Sequence, residues 1–161
     1  MALVARTSPK VRAAAFARAA ALMAVVIGVD QLTKHTVASG IGPGEHNNVF
    51  FGIKLVHVRN TGVAFGAFSG GGTIVLVFTL VALAALVTYL ALRPDRPWLW
   101  VPTGLLVGGA IGNLIDRIAN GAVTDFIKLP LWPAFNVADM SITFGVLALL
   151  WVLEGPRRAE R

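Results

Sequence analysis

Four aspartates are the residues of this chain whose type and position could perform chemistry. Asp30, Asp116, Asp125 and Asp139 make up half of the eight acidic residues in a sequence of 161. Two carboxylates held within a few ångströms of each other cannot both ionise easily, so the pKa of one rises and the pair shares a proton. One member can then deprotonate a water molecule while the other polarises a carbonyl group, which hydrolyses a peptide bond without a metal ion or a covalent intermediate.

Two of the aspartates have a cation close by in the sequence. Lys34 follows Asp30 by four residues, which places both on one helical face, and Arg117 follows Asp116 directly. Asn113 lies three residues before Asp116 and shares its face. These side chains either form ion pairs, caps and hydrogen bonds that stabilise the helix ends, or they support a polar site.

The other two aspartates are better candidates for chemistry. Lys128 is the only cation within three residues of Asp125 or Asp139. Asn136 lies three residues before Asp139, where it could also cap the start of a helix. The sequence therefore favours Asp125 and Asp139 as the pair that shares a proton.

Other hydrolytic centres fit the sequence less well. There is no cysteine, which excludes thiolate nucleophiles and cysteine-based zinc sites. The histidines form no H-E-x-x-H pattern, and the serines lack a nucleophile elbow. The residues concerned are His35, His46, His57, Ser39, Ser69 and Ser141. We therefore predict neither a metal site nor a cofactor.

The elements that must position these aspartates are membrane helices. The chain is 56% hydrophobic and 14% charged, against about 25% charged residues in an average domain. A bilayer core of about 30 Å needs about 20 apolar residues per helix. The apolar runs predict an all-α membrane protein, in which a four-transmembrane-helix bundle forms one domain over residues 1–161. The predicted spans are 13–33, 73–92, 97–116 and 136–154.

The basic residues predict the orientation of these spans. Nine of the fourteen lie in the N-terminal segment, in the connection 93–97 and in the C-terminal tail. The positive-inside rule places these segments, and both termini, in the cytoplasm. Segments 39–72 and 118–135, together with the four aspartates, then lie at the extracytoplasmic face. Because the basic residues flank apolar runs and form no continuous patch, we predict no nucleic-acid partner.

Two further patterns concern packing around the aspartates. Residues 48–59 are rich in β-branched and aromatic side chains between Gly and Pro, which predicts a small sheet on the membrane surface. Gly104, Gly108 and Gly112 recur every four residues, so another helix can approach closely. That approach is either a plain helix–helix contact or the packing around a buried site.

Five sequence blocks resemble those of the lipoprotein signal peptidases, also called signal peptidase II. They are GVDQLTK (28–34), RNTGVAFG (59–66), GGAIGNLIDR (108–117), VTDF (123–126) and FNVAD (135–139). The departures are slight, with Val63 in place of Ala and Thr124 in place of Val. The resemblance implies a bacterial inner-membrane aspartyl endopeptidase. It would cut the signal peptide from prolipoproteins just before a diacylglyceryl-modified cysteine.

The resemblance also implies roles for individual residues. Asp125 and Asp139 would be the catalytic dyad, and Gly62 and Phe65 would belong to a flap over the cleft. The residues that would shape or line the site are Asp30, Lys34, Asn60, Gly62, Phe65, Asn113, Asp116, Arg117, Asn136 and Ala138. The partners would be lipid-modified prolipoproteins and membrane lipids, and we expect a monomer because one chain carries all the blocks.

Two other functions are compatible with acids in a helix bundle. A small proton- or ion-coupled transporter would place them nearer the membrane midplane and would usually have repeat symmetry. The sequence has no visible repeat. A non-catalytic membrane subunit would need neither of the two Asn-x-x-Asp pairs.

Overall fold

The computed structural model describes residues 8–61 and 71–155, and for residues 71–76 and 78 it describes the backbone. The described part is mainly helical with one small sheet. In chain order the elements are α1 (Pro9–Gly40), β1 (His46–Phe50), β2 (Ile53–Asn60), α2 (Gly71–Leu92), α3 (Trp100–Asn120), β3 (Val123–Lys128) and α4 (Val137–Glu154). The predicted helical architecture with a small sheet is confirmed.

Within the described residues, two helices are long and apolar enough to cross a bilayer, namely α1 and α4. A shorter apolar stretch, 79–92, lies in α2. The number of four spans therefore stays a prediction. Many large apolar side chains on these helices are exposed, such as Leu32, Leu80 and Trp151, as expected for surfaces that face lipid.

Helix α3 differs from the other helices because its buried face is polar or small and carries no large apolar side chain. Its buried residues are Pro102, Thr103, Gly104, Gly108, Gly109, Gly112, Asn113 and Asp116. The small residues let the neighbouring helices approach, while the polar residues at the C-terminal end meet the polar residues of α1 and α4. Helix α3 is thus the element around which the site is assembled.

Helices α1 and α3 extend at least four residues beyond the C-terminal ends of the predicted spans. Helix α1 begins after the N-cap Ser8, whose hydroxyl accepts from Val11 N at 3.3 Å, and it continues to Gly40. Helix α3 continues to Asn120 and ends at Gly121, which adopts a left-handed conformation with φ of 70°. Asp30 and Asp116 therefore lie inside helices, and the bounds of the membrane spans stay a prediction.

The glycines of α3 bring the helices into backbone contact. A Cβ atom on Gly108 would lie 2.9 Å from Val26 Cβ of α1. A Cβ atom on Gly109 would lie 2.5 Å from the carbonyl oxygen of Ala138 in α4. A Cβ atom on Gly112 would lie 2.7 Å from Asp30 Oδ2. The glycines therefore serve both the helix contact and the polar site.

The three strands form one antiparallel sheet in the order β1-β2-β3. The segment predicted as β-rich, 48–59, is a hairpin whose turn contains Phe51 and Gly52, both with positive φ. Strand β3 comes from the segment 118–135, between α3 and α4, where the sequence pattern did not predict a strand. Its register on β2 pairs Val58 with Asp125 and Asn60 with Val123.

Candidate active site

A cluster of polar side chains lies where α1, α3, β3 and the start of α4 meet. Its members are Asp30, Gln31, Lys34, Asn113, Asp116, Asp125, Asn136 and Asp139. The Asp30 and Asn136 side chains are fully buried, and that of Asp125 is 2% exposed. Asp139 is half-buried. The structure therefore brings the four predicted aspartates together, although they come from four different elements.

Lys34 is the cation at the centre of the cluster. Its Nζ lies 2.7 Å from Asp30 Oδ2 and 3.3 Å from Asp116 Oδ2. It also donates to Asn113 Oδ1 at 3.0 Å. An ammonium group has three N–H donors and no acceptor, so these partners use its full capacity. One buried cation thus forms ion pairs with two buried carboxylates.

The expected pairing of Asp116 with Arg117 was wrong. The Arg117 side chain is exposed, and it forms no ion pair with any residue that the structure describes. Neighbouring positions on a helix point in different directions, so Arg117 leaves the face that carries Asp116. Lys34, which arrives from α1, occupies the place assigned to Arg117.

The two ion-paired aspartates also hold backbone groups. Asp30 Oδ1 accepts from the backbone N–H of Ala138 at 2.8 Å, which ties α1 to the first turn of α4. Asp116 Oδ2 accepts from the backbone N–H of Thr124 at 2.8 Å, which ties α3 to the start of β3. Gln31 Nε2 lies between them and donates to Asp30 Oδ2 and Asp116 Oδ1, at 3.2 Å each.

Asp125 is a buried carboxyl group held by two amides. Its Oδ1 accepts from Asn136 Nδ2 at 2.8 Å, and its Oδ2 accepts from Asn60 Nδ2 at 2.9 Å. Burial raises the pKa of Asp125 above its ordinary value of 3.8, and the negative charge of Asp139 raises it further. The amides of Asn60 and Asn136 and the charge of Lys34 act in the opposite direction, but the net change is upward. Asp125 thus keeps its proton to a higher pH than an ordinary aspartate does.

Asp139 lies in the first turn of α4, where it belongs to a capping box with Asn136. Asn136 Oδ1 accepts from the backbone N–H of Asp139 at 2.9 Å, and Asp139 Oδ2 accepts from the backbone N–H of Asn136 at 3.2 Å. The second carboxylate oxygen, Oδ1, accepts from Asn113 Nδ2 at 2.8 Å. These contacts fix the orientation of a carboxylate that is still partly accessible.

Asn136 joins the two candidate catalytic aspartates. Its oxygen caps α4 beside Asp139, while its Nδ2 donates to Asp125 Oδ1 at 2.8 Å and to Asn113 Oδ1 at 3.1 Å. The three-residue spacing of Asn136 and Asp139 predicted the cap. The contact with Asp125 requires the tertiary fold.

The remaining predicted residues fall into two groups. Ala138 is fully buried and Asn60 is the last residue of β2, in contact with Asp125. Gly62 and Phe65 lie outside the described residues. Gln31, which follows Asp30 directly, was not among the predicted site residues, because nothing in the sequence indicated its partners.

Residues 22–154 match the family described as signal peptidase (SPase) II. The chain belongs to this family. Since the match covers most of the sequence, it includes every residue of the polar cluster. The chain is therefore a peptidase, as the sequence blocks predicted.

Two relatives that are called lipoprotein signal peptidases agree with the assignment to the signal peptidase II family. A lipoprotein signal peptidase of Moorella thermoacetica is 43% identical over 136 residues, which cover 82% of this chain and 89% of that protein. One from Oleidesulfovibrio alaskensis is 45% identical over 135 residues, covering 77% of this chain and 86% of that protein. The family is thus supported over nearly the whole length of both relatives.

Solved structures agree as well. A bacterial membrane enzyme determined by the in meso method at 1.9 Å resolution superposes with a TM-score of 0.77 at 32% identity, covering 85% of this chain and 92% of that one. A second, at 2.3 Å resolution, gives 0.74 at 31% identity, covering 89% of this chain and 93% of that one. Together with the apolar helices, these neighbours identify this signal peptidase II as a membrane protein.

Proposed function

We propose that this chain is an aspartic endopeptidase that removes signal peptides from diacylglyceryl-modified prolipoproteins and cuts before the lipidated cysteine. The family and the names of the relatives support the substrate class. One observation carries the mechanism: Asp125 and Asp139, from a strand and a helix, share Asn136 as a hydrogen-bond partner. Such a pair is suited to activating a water molecule.

The burial of the two carboxyl groups suggests their roles. Asp125 is nearly inaccessible and has a raised pKa, so we assign it the proton of the resting pair. Asp139 is half-buried, and we assign it as the carboxylate that faces the water. Asp139 takes a proton as the water oxygen attacks the scissile carbonyl carbon, while Asp125 donates its proton to the carbonyl oxygen.

Collapse of the resulting tetrahedral intermediate returns both groups to their starting states. A hydroxyl proton of the intermediate goes back to Asp125, and the proton on Asp139 passes to the leaving amine nitrogen. The carbon–nitrogen bond then breaks, and the products are a new carboxyl end and a new amino end. In this scheme Asp30, Lys34 and Asp116 do not exchange protons and act as positioning residues.

The location of the dyad suits a substrate that emerges from a membrane. Asp125 lies in strand β3 and Asp139 in the first turn of α4, so the polar pair is at the end of apolar helices. An apolar signal peptide and a lipid chain could occupy the bilayer while the scissile bond reaches the dyad. We propose a monomer in the bacterial inner membrane, with the site at the extracytoplasmic face and both termini in the cytoplasm.

The position of the dyad also bears on the transporter alternative. A proton-coupled transporter requires acids near the middle of the membrane. A strand and a first helical turn are poor positions for that purpose, and the family is one of peptidases. We therefore propose no transport function.

Cleavage of a defined substrate tests the proposed function. The purified protein in neutral detergent is incubated with a prolipoprotein that carries diacylglycerol on its cysteine, and with the same precursor without lipid. Mass spectrometry should find a new amino end at the lipidated cysteine, and no cleavage of the unmodified precursor. Equal cleavage of both precursors would contradict the proposed specificity, and no cleavage of the lipidated one would contradict the activity.

A further inference from the structure

A cavity lies far from the aspartates, at the other end of α1. It is a cavity of about 240 Å³ between the N-terminal part of α1 and residues 94–100, which connect α2 to α3. Arg18, one of the lining residues, precedes Asp30 by more than three helical turns, about 18 Å along the helix axis. The cavity therefore has no part in the polar cluster.

The lining of this cavity is more basic than acidic. Arg18 and Arg96 contribute two guanidinium groups, while Asp95 is the only acid among the described residues that line the cavity. The Arg18 side chain is exposed and forms no ion pair with a residue in the described ranges 8–61 and 71–155. The site thus presents a guanidinium group that pairs with no acid among the described residues.

Arg96 is held in place by the end of α4. Its amino group donates to Val152 O at 2.6 Å and to Leu153 O at 3.1 Å, and its Nε donates to Val152 O at 3.2 Å. These contacts cap carbonyl groups at a helix C-terminus. A guanidinium group has five N–H donors, so Arg96 retains donors for a ligand while its position is fixed.

Two tryptophans complete the cavity wall. The rings of Trp98 and Trp100 lie 6.2 Å apart with an angle of 33° between their planes. The Trp98 side chain is 55% exposed, and its φ of 63° is unusual for a residue with a side chain. Tryptophan is enriched at the level of lipid headgroups, where its ring is partly in the apolar phase.

We propose that this cavity binds the phosphate headgroup of an anionic phospholipid through Arg18 and Arg96, with Trp98 and Trp100 flanking the glycerol region. Guanidinium groups bind phosphate by paired, charge-assisted hydrogen bonds. Basic pockets between membrane helices are suited to such headgroups. Asp95 weakens the site by its negative charge and so limits the affinity for the lipid.

Thermal unfolding of the full chain in neutral detergent tests this site. The midpoint is measured with increasing phosphatidylglycerol or phosphatidylcholine, and with inorganic phosphate or glycerol 3-phosphate as soluble probes. Phosphatidylglycerol should raise the midpoint more than phosphatidylcholine does, and the soluble probes should not reproduce the full shift. Equal effects of the two lipids, or a full shift with phosphate alone, would overturn the proposal.

Three variants test whether phosphatidylglycerol binds at this cavity. Arg18→Gln should weaken the apparent affinity for phosphatidylglycerol about fivefold and should leave prolipoprotein cleavage in detergent unchanged. Arg12→Gln, on the same helix but outside the cavity lining, is the matched control and should retain the wild-type affinity. Asp95→Asn should bind the lipid more tightly. Equal losses in Arg18→Gln and Arg12→Gln would mean diffuse charge attraction and would overturn the site.

Discussion

Asp116 accepts a hydrogen bond at 2.8 Å from the backbone N–H of Thr124, the residue directly before Asp125. Asp30 makes the same kind of contact, also at 2.8 Å, with the backbone N–H of Ala138. Each ion-paired aspartate thus holds the backbone immediately before a candidate catalytic aspartate. The two supports are joined to each other through one lysine.

That lysine should be essential for folding as well as for activity. Lys34→Met leaves the carboxylates of Asp30 and Asp116 buried without their cation, which costs about 3–5 kcal/mol when a buried pair is broken. We expect a large fall in the thermal midpoint in detergent and loss of cleavage. The control is Lys10→Met, at an exposed position of α1. Equal midpoints for the two variants would contradict the central role of Lys34.

We expect Asn136 to contribute to activity mainly by donating a hydrogen bond to Asp125, and less by capping α4. Asn136→Asp keeps a good N-cap but turns an N–H donor 2.8 Å from Asp125 Oδ1 into a third acidic group. Cleavage should fall by about 10- to 100-fold, because the buried Asp125 oxygen loses its donor and meets a further carboxyl group, at a cost of about 1–3 kcal/mol. Steady-state rates measure the effect. The exposed Asn47→Asp is the matched control, and an active Asn136→Asp enzyme would exclude this role.

The glycines of α3 allow a test of packing at positions that carry no reactive group. Gly109→Ala would place a Cβ atom 2.5 Å from the carbonyl oxygen of Ala138. The backbone of α4 must shift, and overpacking of this kind costs about 1–3 kcal/mol. Gly28→Ala is the matched control, because its Cβ atom would meet nothing within 4 Å. We expect a lower thermal midpoint for Gly109→Ala, and an unchanged or slightly higher one for Gly28→Ala.

The raised pKa of Asp125 predicts how stability and rate depend on pH. Between 3.8 and the raised value, the folded protein keeps a proton that the unfolded chain has released. The free energy of unfolding therefore falls as the pH rises through that window. Asp125→Asn should lose this part of the pH dependence. The cleavage rate should fall on the alkaline side of the same pKa, because the proton donor is then lost.

Two series of measurements check the pH prediction. Thermal midpoints of the wild type and of Asp125→Asn are compared from acid to neutral pH, and kcat/KM of the wild type is measured over the same range. Parallel midpoint curves for the two proteins would mean that the pKa of Asp125 does not change on folding. A rate that stays constant through the window would exclude its role as the proton donor.

The sequence predicted those parts of the site that depend on local spacing. Asn136 and Asp139 are three residues apart at the start of an apolar run, and the structure has the capping box that this spacing favours. The pairing of Asp30 with Lys34 follows in the same way from a four-residue spacing within α1. Both contacts are made within one helix or at its end, so they need no knowledge of the tertiary fold.

Contacts between elements were not predictable in the same way. The ion pair of Lys34 with Asp116 joins residues from two helices, whereas the cation next to Asp116 in the sequence is Arg117. The backbone donors of Thr124 and Ala138 leave no signal in a sequence, because every residue except proline has an N–H group. Strand β3 was missed because its pairing with β2 depends on a distant segment.

Replacement of each dyad member tests the central claim most directly. Asp125→Asn and Asp139→Asn are assayed for cleavage of a lipidated prolipoprotein, with thermal unfolding in detergent as the measure of folding. Glu45→Gln, at an exposed acid outside the polar cluster, is the matched control. We predict that both dyad variants remain folded and lose at least about 100-fold in rate, while Glu45→Gln cleaves normally. Cleavage near the wild-type rate by either folded dyad variant would contradict the two-aspartate mechanism.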